Sequence, residues 1–324
     1  MSLRQLECLC TVIDEGLSIT RAANALGTSQ PSVSREIRLL EDRLGVTVLK
    51  RSRKRIVGIT KAGEEVLDVA RRMLRDADNL NRIGKDYGGK KGGVLSMAVS
   101  HTQAAYALPR IIPQFAQKHP NVRLTLRQGN PTQIARWLSD GEVDFSIATE
   151  PAKPVPDIVL LPIYTLHRVI LTPLAHPLLA QPKPTLEMLA RYRLITYGEE
   201  FSYYSRIMQT FKEKGLTPDV VLTATDVDVM KKYVKLGLGI AIITSLAYDP
   251  KDDEGLGAVD VSHLFEGSCV KLGLRQNTYL SSYAYEFLRV FAPHLDSTAI
   301  RDAITAPSRS ARASVSPDTE EHND

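Results

Sequence analysis

The chain has 324 residues, 43% hydrophobic and 24% charged. That is an ordinary soluble composition, with length enough for about two domains whose cores need no disulfide or metal staples. Its net charge of +4 is uneven: residues 1–93 carry +6 and the rest −2, which points to a nucleic-acid-binding front third. No apolar run approaches a membrane span, and the opening MSLRQLECLC has no apolar signal core. Cys8, Cys10 and Cys269 make no disulfide framework, so the expected compartment is the reducing cytoplasm.

Residues 1–60 read as three short helices and a hairpin. Leu3, Leu6, Cys10 and Ile13 recur at helical spacing. Ser18 caps a second helix carrying Ala22, Ala23 and Leu26, and Gly27-Thr28-Ser29 makes the turn. Ser29 caps a third helix with Pro31 in its first turn, a buried stripe of Val33, Ile37, Leu40 and Leu44, and Gly45 at its end. Strands Val46–Leu49 and Ile56–Ile59 flank a basic run, residues 50–55. Residues 60–87 read as one long helix capped by Thr60, with an apolar face too wide for one partner edge. A glycine hinge follows at 89–93.

Beyond the hinge, strands and helices alternate, which predicts a mostly parallel α/β sheet. Expected strands are 94–99, 122–126, 143–147, 169–171, 194–196, 220–222 and 240–243; expected helices are 103–118, 131–139, 185–190, 203–214 and 227–236. Pro109 and Pro113 are irregularities within the first of these helices. The unit repeats after Pro162, implying two subdomains with a cleft between them. Residues 297–324 read as a disordered tail; from Thr305 onward Val315 is the one large aliphatic residue.

A helix–turn–helix reads the major groove with short polar and Arg side chains near the N-terminus of its second helix. Here that face offers Gln30, Ser32, Ser34 and Arg35, with Arg38 one turn on. Gln suits adenine and Arg suits guanine, while Pro31 offers apolar contact to a thymine methyl. An isolated polar helix face would be solvated surface. The basic run one hairpin later, with five charges in six residues, turns the reading toward double-stranded DNA.

Residues 18–45, SITRAANALGTSQPSVSREIRLLEDRLG, resemble the winged helix–turn–helix of LysR-type transcriptional regulators. The resemblance extends over about residues 1–296. It implies an α/β effector domain of two Rossmann-like subdomains, like periplasmic binding proteins, behind an N-terminal winged helix–turn–helix domain and a long linker helix. The implied division is 1–60 for the DNA reader, 61–88 for the linker helix, 89–93 for the hinge and 94–296 for the effector domain. Within the latter, subdomain I takes about 94–163 and 266–296, and subdomain II about 164–265. By the same resemblance Gln30, Pro31, Ser34 and Arg35 match base-contacting positions, and Arg51 and Arg53 match wing positions. A homodimer through the linker helix and a homotetramer are the implied assemblies.

In open α/β sheets ligands bind at the carboxyl ends of strands. Ser100-His101-Thr102-Gln103 follows the first strand of the effector half, with Thr149 and Ser202 at equivalent strand ends. Helix N-termini there favour an anion. Spacing alone leaves Thr102 and Gln103 equally readable as turn residues or pocket donors, and Thr225 reads first as a helix cap. The stretches 99–109, 128–135, 223–229, 233–239 and 289–295 resemble the CysB-like subgroup. That resemblance implies control of cysteine biosynthesis and sulfur assimilation, with effectors of the O-acetylserine, N-acetylserine, sulfate or thiosulfate type. Ser100, Thr102, Gln103, Thr149 and Ser202 match its anion-contacting positions, with serine replacing threonine at 100 and 202. Gly198-Glu-Glu-Phe-Ser-Tyr-Tyr-Ser205 departs from the subgroup, which has a small Thr-Gly-Arg segment there.

No Walker loop, HExxH pair or GxSxG elbow occurs, and no cofactor or metal is expected. Cys8-x-Cys10 lacks a second pair for zinc. An enzyme would have to rest on His101 and Asp226, which have no visible third partner. The alternatives are a regulator of another small-carboxylate or sulfonate pathway and, more distantly, a solute-binding protein.

Overall fold

The computed structural model describes residues 1–52, 55–88, 92–151, 153–199 and 201–306. It divides at Gly88 into two compact units.

The first unit opens with helices α1 (Leu3–Asp14), α2 (Ile19–Ala25) and α3 (Gln30–Leu44). Ser2, Ser18 and Ser29 cap them, each side chain accepting a backbone N–H one turn in. Gly45 closes α3 at φ +69°, in the left-handed region open to glycine. Leu6, Leu9, Val12, Val33, Ile37 and Leu40 form the core, with Cys8 and Cys10 buried among them. Strands β1 (Leu49–Ser52) and β2 (Arg55–Ile59) pair antiparallel as the wing.

The first wing strand starts three residues later than the sequence predicts, because the backbone before it is already engaged. The Val48 and Leu49 amides donate to the Glu41 carboxylate, and Thr60 takes the carbonyls of Thr47 and Val48. Helix α4 (Lys61–Tyr87) runs from its Thr60 cap as expected. It docks so closely that a side chain at Gly63 would meet the Val48 carbonyl oxygen at 2.2 Å. Val69, Met73, Leu80, Ile83 and Tyr87 remain exposed along α4.

Two five-stranded sheets make the second unit. One has the order β4-β3-β5-β12-β6, built from β3 (Gly93–Val99), β4 (Val122–Gln128), β5 (Phe145–Ala148), β6 (Ile158–Leu166) and β12 (Ser268–Arg275). The other has the order β11-β7-β10-β8-β9, built from β7 (Arg168–Pro173), β8 (Leu194–Thr196), β9 (Val220–Thr223), β10 (Ile240–Thr244) and β11 (Leu256–Asp260). Each sheet has two parallel and two antiparallel pairings, so the mostly parallel expectation is corrected to mixed. The antiparallel pairs come from strands that cross between the sheets. His167 alone separates β6 from β7, and the chain returns between Asp260 and Ser268.

Other corrections have local causes. Residues 103–118 are three pieces: a π-turn over Gln103–Ala107, a 3-10 turn over Leu108–Arg110, and α5 (Ile112–Lys118). Pro109 and Pro113 carry no N–H, so each sits in the first turn of a new piece. Helices α6 (Pro131–Asp140), α7 (Leu186–Leu189), α8 (Ser202–Glu213) and α9 (Val227–Lys235) fall close to their predicted ranges, whereas α10 (Ser282–Phe291) was not anticipated. The tail expectation fails at its start. Asp296 caps α11 (Ser297–Thr305), whose Ile300 and Ile304 enter the core beside Leu274 and Leu280. The rest of that expected tail, 307–324, lies outside the described residues, as do Arg53 and positions 89–91 of the hinge.

Candidate DNA-reading helix and effector cleft

At the start of α3, Gln30, Pro31, Ser34, Arg35 and Arg38 line one shallow groove, joined by Leu39 and Asp42. Gln30, Pro31, Arg35 and Arg38 are exposed, while Ser32 and Ser34 are half-buried. The Ser29 cap orients this turn by accepting from the Ser32 amide at 3.3 Å. Neutral donors and two guanidiniums therefore project from one rigid helix end, as base reading requires.

The wing differs from its sequence reading. Arg51 pairs with Glu41 at 2.8 Å, and the Glu41 side chain is only 9% exposed. One oxygen of that carboxylate accepts the Val48 and Leu49 amides while the other meets Arg51. Arg51 thus neutralises a buried acid, and Lys50 and Arg55 are exposed cations on the same hairpin. Glu41 was missed because an acid within a polar helix face carries no local sign of burial.

In the second unit, Ser100 leaves β3 with its amide donating to the Ile147 carbonyl at 3.3 Å. The parallel pairing of β3 with β5 sets Thr149 at the neighbouring strand end. Thr102 and Gln103 are both buried, Gln103 to 1% exposure. The Gln103 amide oxygen accepts from the Tyr164 hydroxyl, and burial pushes that phenol up to about 12. Burial raises the Tyr197 phenol as well, and Thr102 beside it works in the opposite direction. Half-buried Thr149 also lines a cavity of about 360 Å³ with Pro131, Ser146, Glu150 and Lys271. Ser202 is the first residue of α8; its side chain lies outside what the structure describes.

The expected Thr225 cap is corrected: Asp226 caps α9, accepting from the Asp228 amide at 2.7 Å, and Thr225 is exposed beside it. An aspartate with extended backbone is the stronger acceptor at a helix N-terminus. Asp226 and Asp228 both reach across to His101, at 3.0 and 3.4 Å from its Nε2. Tyr106 donates to Asp228 as well. Burial works to raise the Asp228 pKa, but the bonds from Tyr106 and His101 and the charge of Lys231 outweigh it, so the carboxyl sits below its ordinary range. His101 on one sheet and α9 on the other are thereby latched across the strand ends. The three groups thus form a clasp between the two strand ends.

Tyr164, Tyr197 and Asp228 were not singled out from sequence. Tyr164 lies 61 residues from Gln103, and spacing cannot report such a meeting.

Known proteins carry the same two parts. Residues 3–64 match the bacterial regulatory helix-turn-helix protein, lysR family, and residues 88–296 match the LysR substrate binding domain. The HTH-type transcriptional regulator SsuR of Burkholderia cenocepacia is 45% identical, covering 93% of this chain and 97% of its own. CysB of the same organism is 39% identical, covering 96% and 99%. The crystal structure of the cofactor-binding domain of the Cbl transcriptional regulator superposes with a TM-score of 0.63 at 38% identity, covering 67% of this chain and 96% of that one. The chain belongs to the LysR family of DNA-binding transcriptional regulators, in its CysB-like branch, and is a ligand-responsive regulator, not an enzyme.

Proposed function

We propose that the chain regulates genes of sulfur assimilation or cysteine biosynthesis, sensing a small anion in the strand-end cleft. Ser100, Thr102 and Gln103 supply the core of that site, with Thr149, Ser202 and Thr225 at its margins. One observation carries the reading: two polar side chains, Thr102 and Gln103, are buried at the end of β3, with Tyr164 of β6 bonded to Gln103 and Tyr197 beside Thr102. Polar groups that converge at a strand end suit a polar ligand. Hydroxyls, an amide and a helix end can hold an anion without a full counter-charge, which keeps binding reversible. Similarity to SsuR, CysB and Cbl supports the sulfur assignment.

Promoter DNA is read by Gln30, Pro31, Ser32, Ser34, Arg35 and Arg38, with the wing from Lys50 through Arg55, Arg51 and Arg53 included, following the backbone. The exposed stripe of α4 from Val69 to Tyr87 pairs two chains, and two such dimers make a tetramer. Effector binding shifts the cleft between conformations and so the arrangement of the DNA readers. The test is footprinting on the adjacent promoter with O-acetylserine, N-acetylserine, sulfate and thiosulfate. A changed footprint with one of them supports the assignment; a footprint and affinity unchanged by all four overturn it.

A further inference from the structure

Among the described residues Arg168 is the largest fully buried side chain, only 2% exposed. Among the described residues no carboxylate pairs with it. Its contacts are the Ser268 hydroxyl, to which it donates, and the face of Tyr203, 4.4 Å from the ring centroid. Among the described residues a hydroxyl and a ring face compensate the charge only in part, an expensive state for a guanidinium withdrawn from water.

Arg168 forms part of the wall of a cavity of about 490 Å³. Ser205, Arg206 and Thr210 from α8 line it, and Glu266 stands at its exposed rim, paired with Arg206 at 3.7 Å. The cavity therefore offers two guanidiniums and the Ser205 hydroxyl, while Thr210 already donates to the Arg206 carbonyl; its single acid stands at the rim.

Its place in the fold is at the crossovers between the two sheets. Arg168 follows the one-residue crossover from β6 to β7, and Ser268 begins β12 after the return crossover. The Arg168–Ser268 bond ties the two passages together. From the same guanidinium a line of contacts leads to the cleft. Tyr203 packs edge-on against Tyr197 at 4.6 Å, and Tyr197 stands beside Thr102.

We propose that this cavity is a second anion site, separate from the strand-end cleft, which takes a small oxyanion of the sulfate class against Arg168. Filled, it compensates the buried charge and braces both crossovers, and through Tyr203 and Tyr197 it alters the setting of Thr102. The 198–205 segment, which departs from the subgroup pattern, supplies Tyr203 and Ser205 to this wall.

Equilibrium dialysis of the full-length protein with labelled sulfate at fixed ionic strength tests this. Arg168→Gln should weaken one sulfate site at least tenfold, while Gln103→Ala leaves that site intact. Because Arg168→Gln can unfold the crossovers, Thr210→Glu is the second variant. It sets a carboxylate in the wall as an internal counter-ion and should abolish the same site with the circular dichroism spectrum unchanged. Sulfate binding that Thr210→Glu leaves unaltered, or no sulfate bound by the wild-type chain, overturns the proposal.

Discussion

The DNA reader and the effector cleft place their functional groups in opposite ways. Gln30, Arg35 and Arg38 stand exposed on one helix within nine consecutive positions. Thr102 and Gln103 are buried; Tyr164 beside them comes from β6 of one sheet and Tyr197 from the residue that follows β8 of the other. A surface that meets a large, charged, hydrated partner is best built locally and left in water, where long-range attraction supplies affinity. A pocket for a small ion must exclude water, so it needs walls from several segments.

That contrast can be broken or sharpened by substitution. The largest effect is expected at Glu41, the buried exception in the reader. Glu41→Ala leaves two amides without their acceptor, at about 1–3 kcal/mol each of reader stability, while Arg51 is exposed enough to be solvated. Calorimetry of the full chain checks this by a lower first transition, with the effector-half transition unmoved. Gln103→Ala strands the Tyr164 hydroxyl and should cost about 1–3 kcal/mol; the effector response measured by gel shift should disappear while effector-free DNA affinity persists. Arg35→Ala should weaken specific binding by roughly 1–3 kcal/mol, and equal loss on random DNA would sink the base-contact assignment. On the wing, Lys50→Ala should lower the log–log salt slope by about one unit. Arg51→Ala should change the slope less, since its charge already faces Glu41.

The smallest effect concerns the clasp. The Asp228 pKa lies below its ordinary value of 3.8, so its stabilising contribution is present above that value and is lost as pH falls through the depressed one. Asp228→Asn should therefore make acid unfolding below about pH 3.8 shallower, as seen by tryptophan fluorescence of the effector half. An acid limb identical to wild type would remove the clasp from the account.

The helices of the reader were legible because their caps, turn glycine and apolar spacing all lie within a few residues of one another. The strands β6, β11 and β12 were not, and neither was α11. Ile300 and Ile304 look like isolated apolar residues in a polar stretch until Leu274 and Leu280 are brought beneath them. In the cleft, Ser100, Thr102 and Gln103 could be picked out as a polar cluster at a strand end. Which of them are buried, and by what, could not.

Sequence alone determined the two-part organisation, the reading helix, the basic hairpin and the family. Each of these rests on short-range spacing or on charge counted along the chain. Tertiary structure decided the rest: that Arg51 serves Glu41, that Asp226 rather than Thr225 caps α9, that the sheets are mixed, and that Arg168 lies buried at the crossover between the sheets without a carboxylate partner among the described residues. Burial and partnership are properties of pairs far apart in the chain, and a linear pattern holds no record of them until the fold closes.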